Sequence, residues 1–209
     1  MSIAQSIDLS EPEPAWDVAK LFPPQGYWTE AEYLGLTQST NKLVEFTDGF
    51  IEVLPMPTET HQLILLYLLD ALRAFVTPRK LGTVLMAVLR VRLRDGKFRE
   101  PDIIFMRTQN ASRRRDEYWH GADLVMEIVS PDPHSRERDY EKKREDYAEA
   151  GVPEYWIVDP QEEKITVLKL SGDGYDVHGE FRPGDAATSA LLQEFDVDVR
   201  DVFAAGQAS

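Results

Sequence analysis

Cysteine is absent from this chain of 209 residues. That excludes disulfides, thiol nucleophiles and thiolate zinc sites, and it fits a cytoplasmic location. No apolar run approaches the ~20 residues of a membrane helix, so no membrane partner is expected. The first residues show no basic stretch followed by an apolar one, so no secretory signal is expected. Positive charge is scarce. The chain has 23 Lys and Arg against 37 Asp and Glu, a formal net charge of −14. A protein this acidic is a poor general binder of polyanions.

The charge is unevenly spread. Between Arg79 and Arg115, eleven Lys and Arg stand against three Asp and Glu. Between Asp173 and Asp201, two Arg stand against eight acids. The first segment is able to meet a polyanion, or both segments are ordinary solvated faces. At this length, one domain with a sizeable core is expected. Residues 1–20 carry four acids and few large apolar groups, which predicts a flexible arm. Residues 21–203 form the domain and residues 204–209 a tail.

Local patterns predict the elements. Thr29 and Glu32 have the spacing of a capping box before a short helix. Thr47-Asp48-Gly49 between two apolar runs predicts a hairpin. The stripe His61, Ile64, Leu65, Leu68, Leu69, Leu72, Phe75 predicts an amphipathic helix from about Glu59 to Val76. Val84 to Arg94 reads as one strand, with Arg90, Arg92 and Arg94 on one face. Phe98 to Met106 reads as its returning partner. The arginine stripe either tracks phosphates or is the wet face of that hairpin. Arg136 to Ala150 predicts a helix, closed by Gly151 and Pro153. Tyr155 to Val158 and Ile165 to Leu170 predict further strands. The order suggests an α/β (α+β) sandwich with a central mixed sheet flanked by helices.

One residue breaks the pattern. Leu124 to Val129 is short, β-branched and apolar, the signature of a buried strand, yet Glu127 sits in its middle. A lone carboxylate in a dry core costs several kcal/mol unless it is paired, bonded or bound to a metal. Asp102 opens the preceding strand after Pro101, and successive strands tend to be neighbours. Two hard oxygen ligands suit magnesium, which takes one or two protein carboxylates and keeps its waters. On the later helix, Arg136, Tyr140, Lys143, Tyr147 and Ala150 share the inward side, while Arg138, Lys142, Glu145 and Glu149 share the wet one. Lys143 is therefore the candidate ammonium group. Its spacing from Asp139 also fits a simple helical ion pair.

These stretches resemble the PD-(D/E)xK nuclease superfamily, whose core is helix, three-strand meander, helix, strand. More narrowly, the chain resembles the Uma-type restriction endonucleases, a domain-of-unknown-function family. The matching stretches are 44–49, His61, 100–104, 123–131 and, longest, Arg138-Asp139 through Lys143 and Tyr147 to 150–160. The resemblance covers about residues 25–203. It implies a restriction-endonuclease-like core and Mg2+- or Mn2+-dependent hydrolysis of DNA. It assigns the metal to Asp102, Glu127 and the carbonyl of Ile128, and it adds Lys143, Glu45 and His61 to the catalytic set. The superfamily's usual lysine, two residues after the second acid, falls on Val129 here, and Lys143 is its replacement.

Other readings stay open. His61 on an apolar face is equally a hydrogen-bonded core residue, and Glu45 a surface residue of the hairpin. The whole chain is alternatively a nuclease-like module that binds nucleic acid or a protein partner without cutting. A glycosidase using two carboxylates is remote, since no aromatic sugar platform is visible. DNA is the expected substrate, and a homodimer is possible, as in many restriction-like folds.

Overall fold

The computed structural model describes residues 21–40 and 42–207. The arm expected at residues 1–20 lies outside them. Helix α1 (Glu30–Gln38) starts at the expected box. The Thr29 hydroxyl accepts from the Glu32 amide at 3.2 Å, and the Glu32 carboxylate accepts from the Thr29 amide at 2.8 Å. Strands β1 (Val44–Thr47) and β2 (Phe50–Val53) form the Asp-Gly hairpin. Both turn residues are left-handed, Asp48 at φ 47° and Gly49 at φ 89°, the pair that the twist of a two-residue hairpin requires.

Helix α2 (Glu59–Val76) is capped by the Thr58 hydroxyl and buries the predicted stripe from His61 to Leu72, closing on Val76. Then the structure departs from the expectation of two long strands. Residues 84–94 do not form one strand. They divide into β3 (Gly82–Met86) and β4 (Arg90–Arg94). The return divides likewise into β5 (Lys97–Arg99) and β6 (Ile103–Arg107). The outer halves, β4 and β5, join the sheet β2-β1-β5-β4-β7, with β7 at Tyr118–His120. The inner halves, β3 and β6, join the sheet β11-β10-β9-β8-β6-β3. Pro101 has no N–H to give to a ladder, so the pairing breaks there and the hairpin passes from one sheet to the other. The alternation of side chains looks the same in both halves, and the change of sheet was therefore invisible in the pattern.

Strands β8 (Leu124–Ile128) and β9 (Glu154–Asp159) run parallel at the centre of the larger sheet and are buried along their whole length. Strands β10 (Lys164–Ser171) and β11 (Gly174–Phe181) complete it as an antiparallel edge. Helix α3 (residues 133–149) crosses from β8 to β9. It begins earlier than expected because Asp132 accepts from the Ser135 amide at 2.9 Å and Pro133 suits a first helical turn. Its middle, Arg138–Lys142, is a π-helical turn. A small pair, β12 (Ala186–Thr188) and β13 (Asp196–Asp198), leads into helix α4 (Val199–Ala205).

The apolar core has three parts. Helices α2 and α4 cover one face of the larger sheet, centred on Leu68, Phe105, Met126 and Trp156. The other face packs Val125, Val129, Tyr147 and Tyr155 beneath α3. Helix α1 seats Tyr33 on Phe46 and Phe98 of the smaller sheet. Among the described residues, no helix is long and apolar enough to cross a membrane.

Gly49 is held by more than its turn, because a Cβ there would lie 2.5 Å from the Gly26 carbonyl oxygen. Gly49→Ala is expected to destabilise the fold by at least ~1 kcal/mol, the cost of a left-handed alanine. Urea unfolding should show a lower midpoint at unchanged slope.

Candidate active site

Asp102 stands at the point where the bent hairpin passes between the sheets, and the registers bring it beside Glu127. Ile103 pairs with Met126, so the next residues along each strand meet at the end of the ladder. The Ile128 amide donates to Asp102 Oδ2 at 2.7 Å, and His61 Nε2 lies 3.1 Å from the same oxygen. Both contacts fall on Oδ2, so Oδ1 carries no bond among the described residues.

The Glu127 side chain leaves β8 toward α3. Its Oε2 lies 2.8 Å from Lys143 Nζ, and its Oε1 accepts from the Tyr147 hydroxyl at 2.5 Å. Lys143 also lies 3.2 Å from Asp139 Oδ1 and 3.8 Å from Glu45 Oε1. The Asp139–Lys143 contact is indeed the local helical pair, but it is buried and it has Glu127 as a third member. Val129, two residues after Glu127, is packed in the apolar core. Lys143 reaches Glu127 from α3 instead.

Glu45 is not a surface residue of its hairpin; its side chain is 1% exposed. Its Oε1 accepts from the Glu100 amide at 3.3 Å, and Arg99 lies 3.5 Å from Oε2. Oε2 is buried without a hydrogen bond among the described residues, as is Nδ1 of His61. All six residues expected at the site thus gather around one cleft or its floor. Asp102, Glu127, Ile128, His61 and Lys143 line it directly, and Glu45 lies behind Lys143.

The pattern of side chains missed Arg138, Asp139 and Glu100. Arg138 was expected on the wet side of α3 but is buried and lines the cleft. The π-turn inserts one residue and rotates the helix upstream of Lys143, which a regular period of 3.6 cannot anticipate. The Arg138 guanidinium lies 3.2 Å from Glu52 Oε1 and 3.4 Å from Asp139 Oδ1. Glu100 accepts from the Val44 amide at 3.0 Å and faces Arg90 at 3.7 Å.

Arg90 and Arg92 of the arginine stripe are part-buried against the protein's own acids, whereas Arg94 lies on the wet face of the hairpin. Arg90 faces Glu100, Arg92 binds Glu30 at 2.7 Å, and Arg94 binds Asp48 at 2.7 Å. Lys97 and Arg99 both bind Asp146. Five of the eleven cations in that segment therefore balance the protein's own acids.

Three carboxylates surround one ammonium, with Arg138 also beside Asp139 and Arg99 beside Glu45. Burial pushes Glu127 up, with Lys143 pulling down and Asp102 and Asp139 pushing further up. Burial also raises Asp139, against the pull of Lys143 and Arg138. For Lys143, burial opposes the charge, but Asp139, Glu127 and Glu45 outweigh it and raise its pKa. Burial would lower His61, but its bond to Asp102 prevails and raises it. Glu100 is pushed by burial up to about 7.

Among the described residues, no three His, Asp or Glu side chains are grouped as a cage for an ion. The donor set is nevertheless that of a hard cation that keeps most of its waters. It offers two neighbouring carboxylates, and Oδ1 of Asp102 carries no bond among the described residues. The site fits such an ion.

A family model described as Uma2, putative restriction endonuclease, matches residues 30–200. Among solved structures, the chain is similar to a putative nuclease belonging to DUF820 from Anabaena variabilis ATCC 29413. The TM-score is 0.65 at 19% identity, over 83% of this chain and 98% of that one. At that identity the likeness speaks for the fold. No curated protein matches the chain.

Lys143→Met leaves Glu127 and Asp139 facing each other without their ammonium. It is expected to cost ~3 kcal/mol or more in urea unfolding, and adding Glu127→Gln should recover part of the loss. A second expectation concerns pH. Burial raises Glu127 and holds Glu100 at about 7, both above the ~4.3 of a free glutamate. The folded state then holds protons that the unfolded state releases, so stability is full below the unfolded value and falls as pH rises through the folded ones. In EDTA, the thermal midpoint should fall from about pH 5 to about pH 8, and by less in Glu127→Gln.

Proposed function

The chain belongs to the Uma2 family of putative restriction endonucleases, and on that premise we propose that it is a Mg2+- or Mn2+-dependent deoxyribonuclease. Asp102, Glu127 and the Ile128 carbonyl would hold the ion. An ion bound there would supply Lewis acidity toward water and the scissile phosphate. Hydrolysis joins a water oxygen to phosphorus and breaks one ester bond, whose oxygen leaves as an alcohol with a proton from that water.

The remaining work belongs to the chain. The Lys143 ammonium, 2.8 Å from Glu127, balances negative charge that grows on the phosphate. Asp139 and Glu45 hold that ammonium from behind. Tyr147 donates to Glu127 and fixes which way its carboxylate turns. His61 orients Asp102 through Nε2, and its unbonded Nδ1 is suited to carry a proton.

The observation that carries this reading is the meeting of Lys143 with Glu127. A lysine borrowed from a helix reaches the acid that the superfamily's strand lysine normally serves. The surplus of acid around Lys143 favours a second reading, in which the module binds nucleic acid or a protein without cutting. Magnesium calorimetry with and without DNA separates the two, because binding without turnover supports the second. Asp102→Asn should keep the fold by circular dichroism and lose metal-dependent cleavage of labelled DNA by ~100-fold or more. Unchanged cleavage would remove Asp102 from the mechanism.

A further inference from the structure

We propose that the cleft takes an unpaired nucleotide, so that the substrate is single-stranded DNA, or a single-stranded stretch at a junction, in preference to continuous duplex. The phosphate end of this inference rests on the nuclease reading above. The base end rests on separate features of the cleft.

The cleft has two chemistries. Its floor carries Asp102, Glu127 and Lys143, and its mouth is apolar. The mouth comes from two short connections. One is residues 54–57, between β2 and α2, with Pro55 and Pro57. The other is residues 86–88, where the hairpin changes sheets. Met56 is 77% exposed, Val88 62% and Met86 39%. Apolar side chains held out in water beside a polar site mark contact with an apolar surface. A nucleobase offers one on each face. Methionine thioethers lie favourably against aromatic rings, and Met, Leu and Pro are side chains that proteins insert between unstacked bases. A nucleotide joins base and phosphate in one unit, so a phosphate at the floor brings its base to the mouth. The cleft measures about 190 Å³, below the ~300–1,000 Å³ of small-ligand sites, so the base lies across the open mouth and is not enclosed.

Duplex binding needs something else. It draws its affinity from many phosphates neutralised by Lys and Arg. The basic side chains lining this cleft are His61, Arg138 and Lys143, and each already faces a carboxylate. The nearby stripe of Arg90, Arg92 and Arg94 is committed as well. With little free positive charge at the entrance, contact with exposed base faces is the stronger source of affinity.

The test uses the full chain with Mg2+ or Mn2+ and three labelled DNAs of matched sequence: single strand, perfect duplex, and duplex with a single-stranded flap. Single strand and flap should be cut at least about tenfold faster than duplex, and Met56→Glu and Val88→Glu should each lose about tenfold on single strand without a change in thermal midpoint. Duplex cut as fast as single strand overturns the inference and leaves the nuclease reading standing. If nothing is cut, fluorescence anisotropy of wild type and Asp102→Asn decides. Single strand bound over duplex, with loss in the two mouth variants, upholds the unpaired-nucleotide cleft while the nuclease reading falls; no such preference removes both. Size-exclusion chromatography covers the remaining occupant. A dimer that the mouth variants dissociate, with DNA binding unaltered, makes the mouth an interface between copies and overturns the inference.

Discussion

The burial of the Lys143 ammonium among Glu127, Asp139 and Glu45 is the contact on which the rest of the site depends. A lone charge at that depth would cost several kcal/mol. The four groups remain because each offsets the desolvation of the others. The cluster also ties three elements together: Glu45 from β1, Glu127 from β8, and Asp139 with Lys143 from α3. The smaller sheet, the larger sheet and the crossover helix therefore share one polar knot at the base of the cleft. Behind it, Arg99 bridges Glu45 to Asp146, extending the same balance of charge to the far side of α3.

The site was legible where a residue violated its surroundings. Glu127 was visible because an acid does not belong in an apolar, doubly buried strand. Asp102 was visible because proline opens its strand, and Lys143 because it shares a helical side with Tyr147. The resemblance to a nuclease family added Glu45 and His61, which spacing alone left ambiguous. The fold was legible at its caps and turns, where a single residue type has one physical reason to be there. Thr29, the Asp48-Gly49 pair and Thr58 all behave as their chemistry requires.

What the sequence hid was long-range or irregular. The hairpin of residues 82–107 keeps a period of two throughout, so its passage between sheets left no trace except Pro101. Arg138 was misread because helical periodicity assumes a constant number of residues per turn. The arginine stripe was ambiguous because its partners, Glu30, Asp48 and Glu100, are far away in the chain or on another element. Alternation tells which side a residue is on, but not which acid will meet it there.

The π-turn at residues 138–142 has a wider meaning for how this protein is assembled. An added residue lets the two halves of α3 take their azimuths separately. The downstream half is steered by Tyr147 and Ala148 packing under the sheet, while the upstream half is free to aim Arg138 and Asp139 elsewhere. A straight helix would tie those directions to a single phase, and one segment would then serve either the hydrophobic interior or the polar cleft. Here it supplies both.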